Sequence, residues 1–176
     1  MVPARARGYD DRMRSLALLL LVAGCGVADF DVNQPIPAQT VQGSSLPGPL
    51  AQLFPIPLNL DISQQIAAMH TGPINSVTLK SLDLDITTPA SADWSFVTTI
   101  DVFVSSTMQG SSLPKVKIAT VSSPGKVRAL DFTIEAGVNL KPYIDEGSDV
   151  EGDSTGNAPA QDVTFDGSSS FHVHPL

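Results

Sequence analysis

The chain has few cysteines, few basic residues and few aromatic residues. One of its 176 residues is a cysteine, so no disulfide can form within the chain. Lysine and arginine number 10 against 18 aspartates and glutamates, which gives a formal net charge of −8. This acidic balance argues against nucleic acid as an electrostatic partner. Trp94 is the only tryptophan, and the sequence predicts that it anchors the core.

Long apolar runs are also missing. The run Leu16–Val22 is far shorter than the roughly 20 residues of a membrane-spanning helix. Arg14 precedes this run and two small residues, Ala23 and Gly24, follow it, as in a secretory signal peptide. An N-terminal core helix with a buried cysteine is the alternative, because free cysteine often packs as a small hydrophobic residue.

The residues from Leu21 to Cys25, LVAGC, resemble the lipobox of bacterial lipoproteins at every position. The resemblance implies that a diacylglycerol is transferred to the Cys25 thiol, that cleavage falls between Gly24 and Cys25, and that the new amine is acylated. Two or three acyl chains anchor a protein stably in a membrane. Gly26, where Asp would resemble an inner-membrane retention signal, implies the outer membrane as destination. The covalent lipid on Cys25 is the only attached group expected, and no cofactor is predicted.

The predicted organisation is a signal peptide over 1–24, a lipidated tether over 25–50 and a folded domain over 51–176. Translation is expected to start at Met13, because the acidic Asp10 and Asp11 are unusual in a signal peptide. Removal of 1–24 takes away four arginines and two aspartates, so the remaining 152 residues carry about −10. That length supports one domain with a core.

Proline and glycine in residues 26–49 indicate the tether. Phe30 and Val32 alternate with aspartates in this segment, which leaves a first strand open as the alternative.

Alternating apolar residues separated by turn signals predict an all-β fold. We expect an antiparallel β-sandwich of immunoglobulin-like architecture with one or two short helices. The strands are predicted over 56–62, 77–86 with a change of parity at Lys80-Ser81, 94–104, from 116, and 127–134, followed by a hairpin of 163–165 and 171–173 around Asp166-Gly167. Short helices are predicted over 63–70, capped by Asp61 or Ser63, and over 139–144.

An acidic loop is predicted from Asp145 to Pro159. The prediction is a solvated loop without a metal, and the alternative is a calcium site with Asp149, Glu151 and Asp153 as ligands, because hard cations bind carboxylate oxygens. This spacing faintly resembles an EF-hand loop but lacks its central glycine and its final bidentate glutamate.

Two histidines are predicted to share one strand face. His172 and His174 are two residues apart, so both rings point to the same side. A solvent-facing stripe is the prediction, and a zinc site completed by His70 is the alternative.

The sequence predicts no catalytic activity, because it contains no nucleophile, phosphate-binding or metalloprotease motif. The prediction is a lipoprotein of the cell envelope, anchored to the membrane by its lipid at the periplasmic face or surface of the outer membrane. Its β-sandwich is expected to bind an envelope protein or to serve structurally. The alternative is a lipid carrier that holds an acyl chain between the sheets.

Overall fold

The computed structural model describes residues 28–46, 48–49, 62–69 and 72–176. Within these residues the chain forms eight strands, two α-helices and one 3₁₀-helix. In chain order they are β1 (Phe30–Val41), α1 (Ser63–Ala68), β2 (Ile74–Thr88), the 3₁₀-helix (Trp94–Phe96), β3 (Val97–Ser106), β4 (Val116–Ser122), β5 (Ala129–Asp131), β6 (Thr133–Ile134), α2 (Lys141–Glu146), β7 (Ser148–Gly156) and β8 (Val163–Pro175).

The strands form two four-stranded antiparallel sheets. The first sheet has the order β1-β8-β2-β5 and the second has the order β6-β4-β3-β7. The antiparallel β-sandwich predicted from the sequence is therefore confirmed. Its core is aliphatic and aromatic, and its largest fully buried side chains are Trp94, Phe165, Phe171, Ile62, Leu82, Leu84, Ile100, Ile118, Leu130 and Leu140.

The predicted tether is wrong for residues 30–41, which form β1 on the edge of the first sheet. β1 pairs with β8 along its length, from Phe30 opposite Val173 to Val41 opposite Val163. Its inward positions are buried, and Pro35 is tolerated because an edge strand needs only one row of hydrogen bonds. The folded unit therefore begins well before residue 51.

The segments before and after α1 lie partly outside the residues that the structure describes. The predicted strand over 56–62 lies outside the described residues except for Ile62, which is buried before α1. Ile62 rather than Ser63 occupies the cap position, and no side chain caps the helix. Asp61, the other predicted cap, is not among the described residues.

The change of parity predicted at Lys80-Ser81 is confirmed as a β-bulge. The register between β2 and β8 shifts between Leu79 and Ser81, so Leu79 and Leu82 both face the core.

The strand predicted to start at Trp94 begins instead with the 3₁₀-helix, because the Asp93 side chain accepts a hydrogen bond from the Ser95 amide. Val97 is consequently buried and Thr98 exposed. Trp94 is fully buried, as predicted, and its indole N–H donates to the Arg128 carbonyl oxygen at 2.9 Å.

The strand predicted over 127–134 crosses between the sheets. β5 pairs with β2 in the first sheet, whereas β6 pairs with β4 in the second. The crossing occurs at Phe132, which is buried and whose amide donates to the Leu82 carbonyl oxygen at 3.1 Å. The chain thereby closes one side of the sandwich.

The predicted acidic loop is wrong, because residues 148–156 form β7. Ser154 lies opposite Ile100 of β3, and both face the core. Val150 is the only apolar side chain among the five inward residues of β7, and the others are serine or glycine, so the strand lacks the apolar alternation that would have identified it.

The predicted hairpin at Asp166-Gly167 is also wrong, because β8 runs straight through this dipeptide. β8 pairs with β1 on one side and β2 on the other. A Cβ on Gly167 would lie 2.1 Å from the Asp83 carbonyl oxygen, so the glycine permits close packing of two backbones rather than a turn.

The second helix is displaced by two residues from its predicted position. Pro142 lies in the first turn of α2, where its missing N–H costs nothing. The Asn139 side chain accepts from the amides of Lys141 and Val77 and so ties α2 to β2. The Tyr143 hydroxyl, predicted to need a partner, donates to the Pro114 carbonyl oxygen at 2.8 Å.

Candidate functional site

The lipobox residues, Gly24 and Cys25, lie outside the described residues, as does Met13. Among the residues that are described, no helix is long and apolar enough to cross a membrane. β1 begins at Phe30, so only four residues lie between Cys25 and the first strand.

Five ionisable side chains meet on the outer face of the first sheet, near the start of β1. This polar cluster consists of Asp29, Asp31, Lys80, His172 and His174. The two histidines share one face of β8, as predicted, and both are half exposed. The sequence did not identify Asp29, Asp31 and Lys80 as members of this cluster, because they lie far from β8 along the chain. The only local indication was the alternation of Asp29 and Asp31 with apolar residues.

His172 lies between the two aspartates. Its Nδ1 is 2.9 Å from Oδ1 of Asp31, which stands directly opposite it in the register. Its Nε2 is 3.5 Å from Oδ2 of Asp29, whose other oxygen is hydrogen-bonded to Nδ1 of His174. The Lys80 ammonium also donates to Asp31. These bonds to Lys80 and then His172 lower the pKa of the Asp31 carboxyl.

The polar cluster connects three neighbouring strands. Exposed ion pairs contribute little to stability individually, and here several of them share partners. The predicted zinc alternative needs His70, which is not described. Among the described residues, no three histidine, cysteine or acidic side chains are placed to hold a metal ion. The hydrogen bonds from His172 to Asp31 and from His174 to Asp29 attach the start of β1 to β8.

The candidate calcium ligands lie on the outer face of β7. Asp149, Glu151 and Asp153 alternate along an extended strand, which separates successive carboxylates by about 7 Å instead of wrapping them around an ion. Glu151 pairs with Lys115 and raises the pKa of that lysine. The Lys115 ammonium is also 4.9 Å from the ring centroid of Phe103.

The two remaining acidic residues of the predicted loop belong to α2. Asp145 pairs with Lys141 one turn earlier. Glu146 accepts hydrogen bonds from the hydroxyls of Ser111, at 2.6 Å, and Ser106, at 2.7 Å, and these bonds lower the pKa of the Glu146 carboxyl. Glu146 thus holds the turn after β3 against α2.

The structure also places two carboxylates directly opposite each other. Asp83 of β2 and Asp131 of β5 are register partners on the outer face of the first sheet. Partial burial, followed by the proximity of Asp131, raises the pKa of Asp83. The sequence did not indicate this pair, since the strand that carries Asp131 was expected to be longer and its partner was unknown.

An open apolar groove of about 330 Å³ lies between α1, the start of β2 and α2. This volume is at the lower end of the range for ligand pockets. Its apolar lining comes from Ile66, Ile74, Val77 and Ile144, and the Lys141–Asp145 pair lies at its rim. The sequence predicted both helices but not the groove, which forms only when they meet β2.

A second groove, of about 230 Å³, lies at the opposite end of the sandwich and includes Asp93, Phe96 and Val163. Hydrogen bonds from the Ser95 hydroxyl and amide lower the pKa of Asp93, which is thereby engaged in capping the 3₁₀-helix. This groove therefore offers less to a ligand than the apolar one.

Comparison with known proteins gives no family assignment: no protein-family model matches the chain, and no curated protein matches it.

Proposed function

We propose that this chain is a lipoprotein of the bacterial cell envelope, anchored by lipid on Cys25 and displaying a non-catalytic β-sandwich for binding or a structural role. The observation that carries the proposal is the complete lipobox pattern Leu21–Cys25, in which the cysteine is the only one in the chain. Cleavage before Cys25 and an outer-membrane destination follow from the same resemblance.

The described fold supports this proposal in two respects. The first strand begins at Phe30, so the mature N-terminus would lead almost directly into an edge strand. A folded unit that needs no disulfide also suits a chain whose only thiol carries lipid.

Mass spectrometry of the full chain expressed in a diderm bacterium tests the anchor. We expect the mature mass to begin at Cys25 and to include a diacylglyceryl and an acyl group, with the protein in the membrane fraction. Cys25→Ser should lose both the lipid and the membrane association. An unmodified Cys25 in a correctly exported chain would refute the proposal.

A second candidate function is the handling of a lipid, and the apolar groove is the observation that favours it. The groove would hold an acyl chain at the end of the sandwich, whereas the sequence suggested a site between the sheets. Native mass spectrometry of residues 26–176, beside a lipid extract of the same sample, distinguishes the two functions. A stoichiometric lipid supports the carrier, and a ligand-free mass supports the binding or structural domain.

A further inference from the structure

Exposed apolar side chains gather at the end of the sandwich where β1 begins. Met69 follows α1, Met108 lies in the turn after β3, and Leu176 follows β8; their exposed fractions are 55%, 50% and 76%. We call these three residues the apolar tip.

Backbone hydrogen bonds bring these three segments to the same end. The Leu176 amide donates to the Pro73 carbonyl oxygen just before β2, at 2.9 Å. The Thr107 amide, beside Met108, donates to Gly147 at the end of α2, also at 2.9 Å. α1, which precedes Met69, contributes Ile66 to the apolar groove, and α2 packs on β2, so the apolar tip lies at the same end of the sandwich as the groove.

The lipid anchor would lie close to this end. Four peptide units join Cys25 to Asp29, and each spans at most about 3.6 Å, so their Cα atoms are no more than about 14 Å apart. Phe30 of β1 lies opposite Val173 of β8, and Pro175 lies opposite Ile74 of β2. At about 4.8 Å per strand, the groove residue Ile74 is only about 10 Å across the sheet from β1.

Three carboxylates at this end have hydrogen-bond partners. Asp29 is bonded to His174, and Asp145 to Lys141. Glu146 accepts from two serine hydroxyls. Lys141 offsets the charge of Asp145, whereas Glu146 stays ionised, so attraction to the membrane at this end comes from the apolar side chains and the lipid anchor rather than from charge.

We propose that the apolar tip and the apolar groove form a docking surface for the lipid bilayer that holds the anchor. This proposal rests on lipidation of Cys25. The interfacial layer of a membrane is several ångströms thick, and an anchor this short places the end of the sandwich at that layer. Met69, Met108 and Leu176 then enter the interface, and the sandwich stands upright on the membrane.

Site-specific quenching tests the orientation in the lipidated full chain. Met69→Cys, Met108→Cys and Leu176→Cys each provide one free thiol for a polarity-sensitive fluorophore, because the Cys25 thiol is blocked by lipid. The vesicles contain phosphatidylethanolamine and phosphatidylglycerol, with a nitroxide quencher on an acyl chain. Leu46→Cys and Val127→Cys are matched controls, since both positions are exposed and apolar but lie at the opposite end.

We expect loss of emission at positions 69, 108 and 176, and none at positions 46 and 127. In the unsubstituted lipidated chain, amide exchange in α1 and α2 should slow on vesicles, independently of any substitution. Equal quenching at both ends, or no quenching at all, in a chain whose lipid is confirmed would refute the docking proposal and leave the proposed function intact. Quenching at position 69 only would mean that the groove takes a single acyl chain, and also refutes docking. Absence of lipid on Cys25 refutes the proposed function and this inference together.

Discussion

At the scale of single residues, one buried hydroxyl and one carboxylate pair stand out as costs to stability. The Ser154 hydroxyl is buried in β7 and has no hydrogen-bond partner among the residues that the structure describes. Burial of an unsatisfied polar group costs about 1–3 kcal/mol. Asp83 and Asp131 place like charges at directly opposed positions, which also destabilises a sheet.

Ser154→Ala is expected to raise the free energy of unfolding by about 1 kcal/mol, because it removes the unsatisfied hydroxyl and leaves little cavity. Urea denaturation measures the change. Ser106→Ala is the matched control with the opposite sign, since it removes a donor to Glu146. A loss of stability in Ser154→Ala would show that its hydroxyl is satisfied in solution.

Asp83→Asn is expected to stabilise the protein at neutral pH by up to about 1 kcal/mol, because it relieves the repulsion from Asp131. Since the pKa of Asp83 is raised in the folded state, its protonated form favours folding, and that contribution is lost as pH rises through the folded-state pKa. The gain from Asp83→Asn should therefore shrink as pH falls toward the ordinary carboxyl pKa of about 4.

Denaturation of Asp83→Asn, Asp131→Asn and the double variant across this pH range checks the coupling. The two single gains should not add, because each substitution removes the same repulsion. Additive, pH-independent gains would mean that the two carboxylates do not interact.

At the scale of elements, β8 organises the first sheet, and Gly167 is the position where its packing is closest. Gly167→Ala is expected to destabilise the protein by about 1–3 kcal/mol, since its Cβ would meet the Asp83 carbonyl oxygen and force two strands apart. Gly48→Ala is the matched control, because its Cβ would approach only the Leu46 carbonyl oxygen, at 4.0 Å, which is an ordinary van der Waals contact. Equal thermal midpoints for both variants would contradict the continuous β8.

Local sequence patterns were sufficient to predict some of these strands but not others. Strong apolar alternation identified β2 and its bulge, because side chains of one parity must reach the core on both sides of the extra residue. The sequence did not predict β7 or the middle of β8 as strands, because serine, glycine and the Asp-Gly dipeptide are typical of loops. Pairing with β3, or with β1 and β2, determines their conformation.

At the scale of the whole molecule, β1 belongs to the folded unit although the sequence suggested a tether. Residues 28–176 are therefore expected to unfold in one cooperative transition, whereas residues 42–176 should lose that transition. Removal of β1 leaves one side of β8 without its strand partner. It also takes the buried side chains of Val32 and Ile36 out of the core. Circular dichroism during heating measures both chains, and equal midpoints would restore the tether interpretation.

The sequence alone determined the class of fold and the anchor hypothesis. Alternation with period two is a local consequence of strand geometry, and the lipobox is a contiguous stretch. Both can be read without knowing which strands are neighbours.

Tertiary structure alone decided which residues meet. The polar cluster joins residues from Asp29 to His174, and the groove joins two helices to β2. Such contacts depend on strand order and register, which the alternation pattern does not encode. For the same reason only the fold could show that the start of β1, separated from Cys25 by four residues, lies at the same end of the sandwich as the apolar tip.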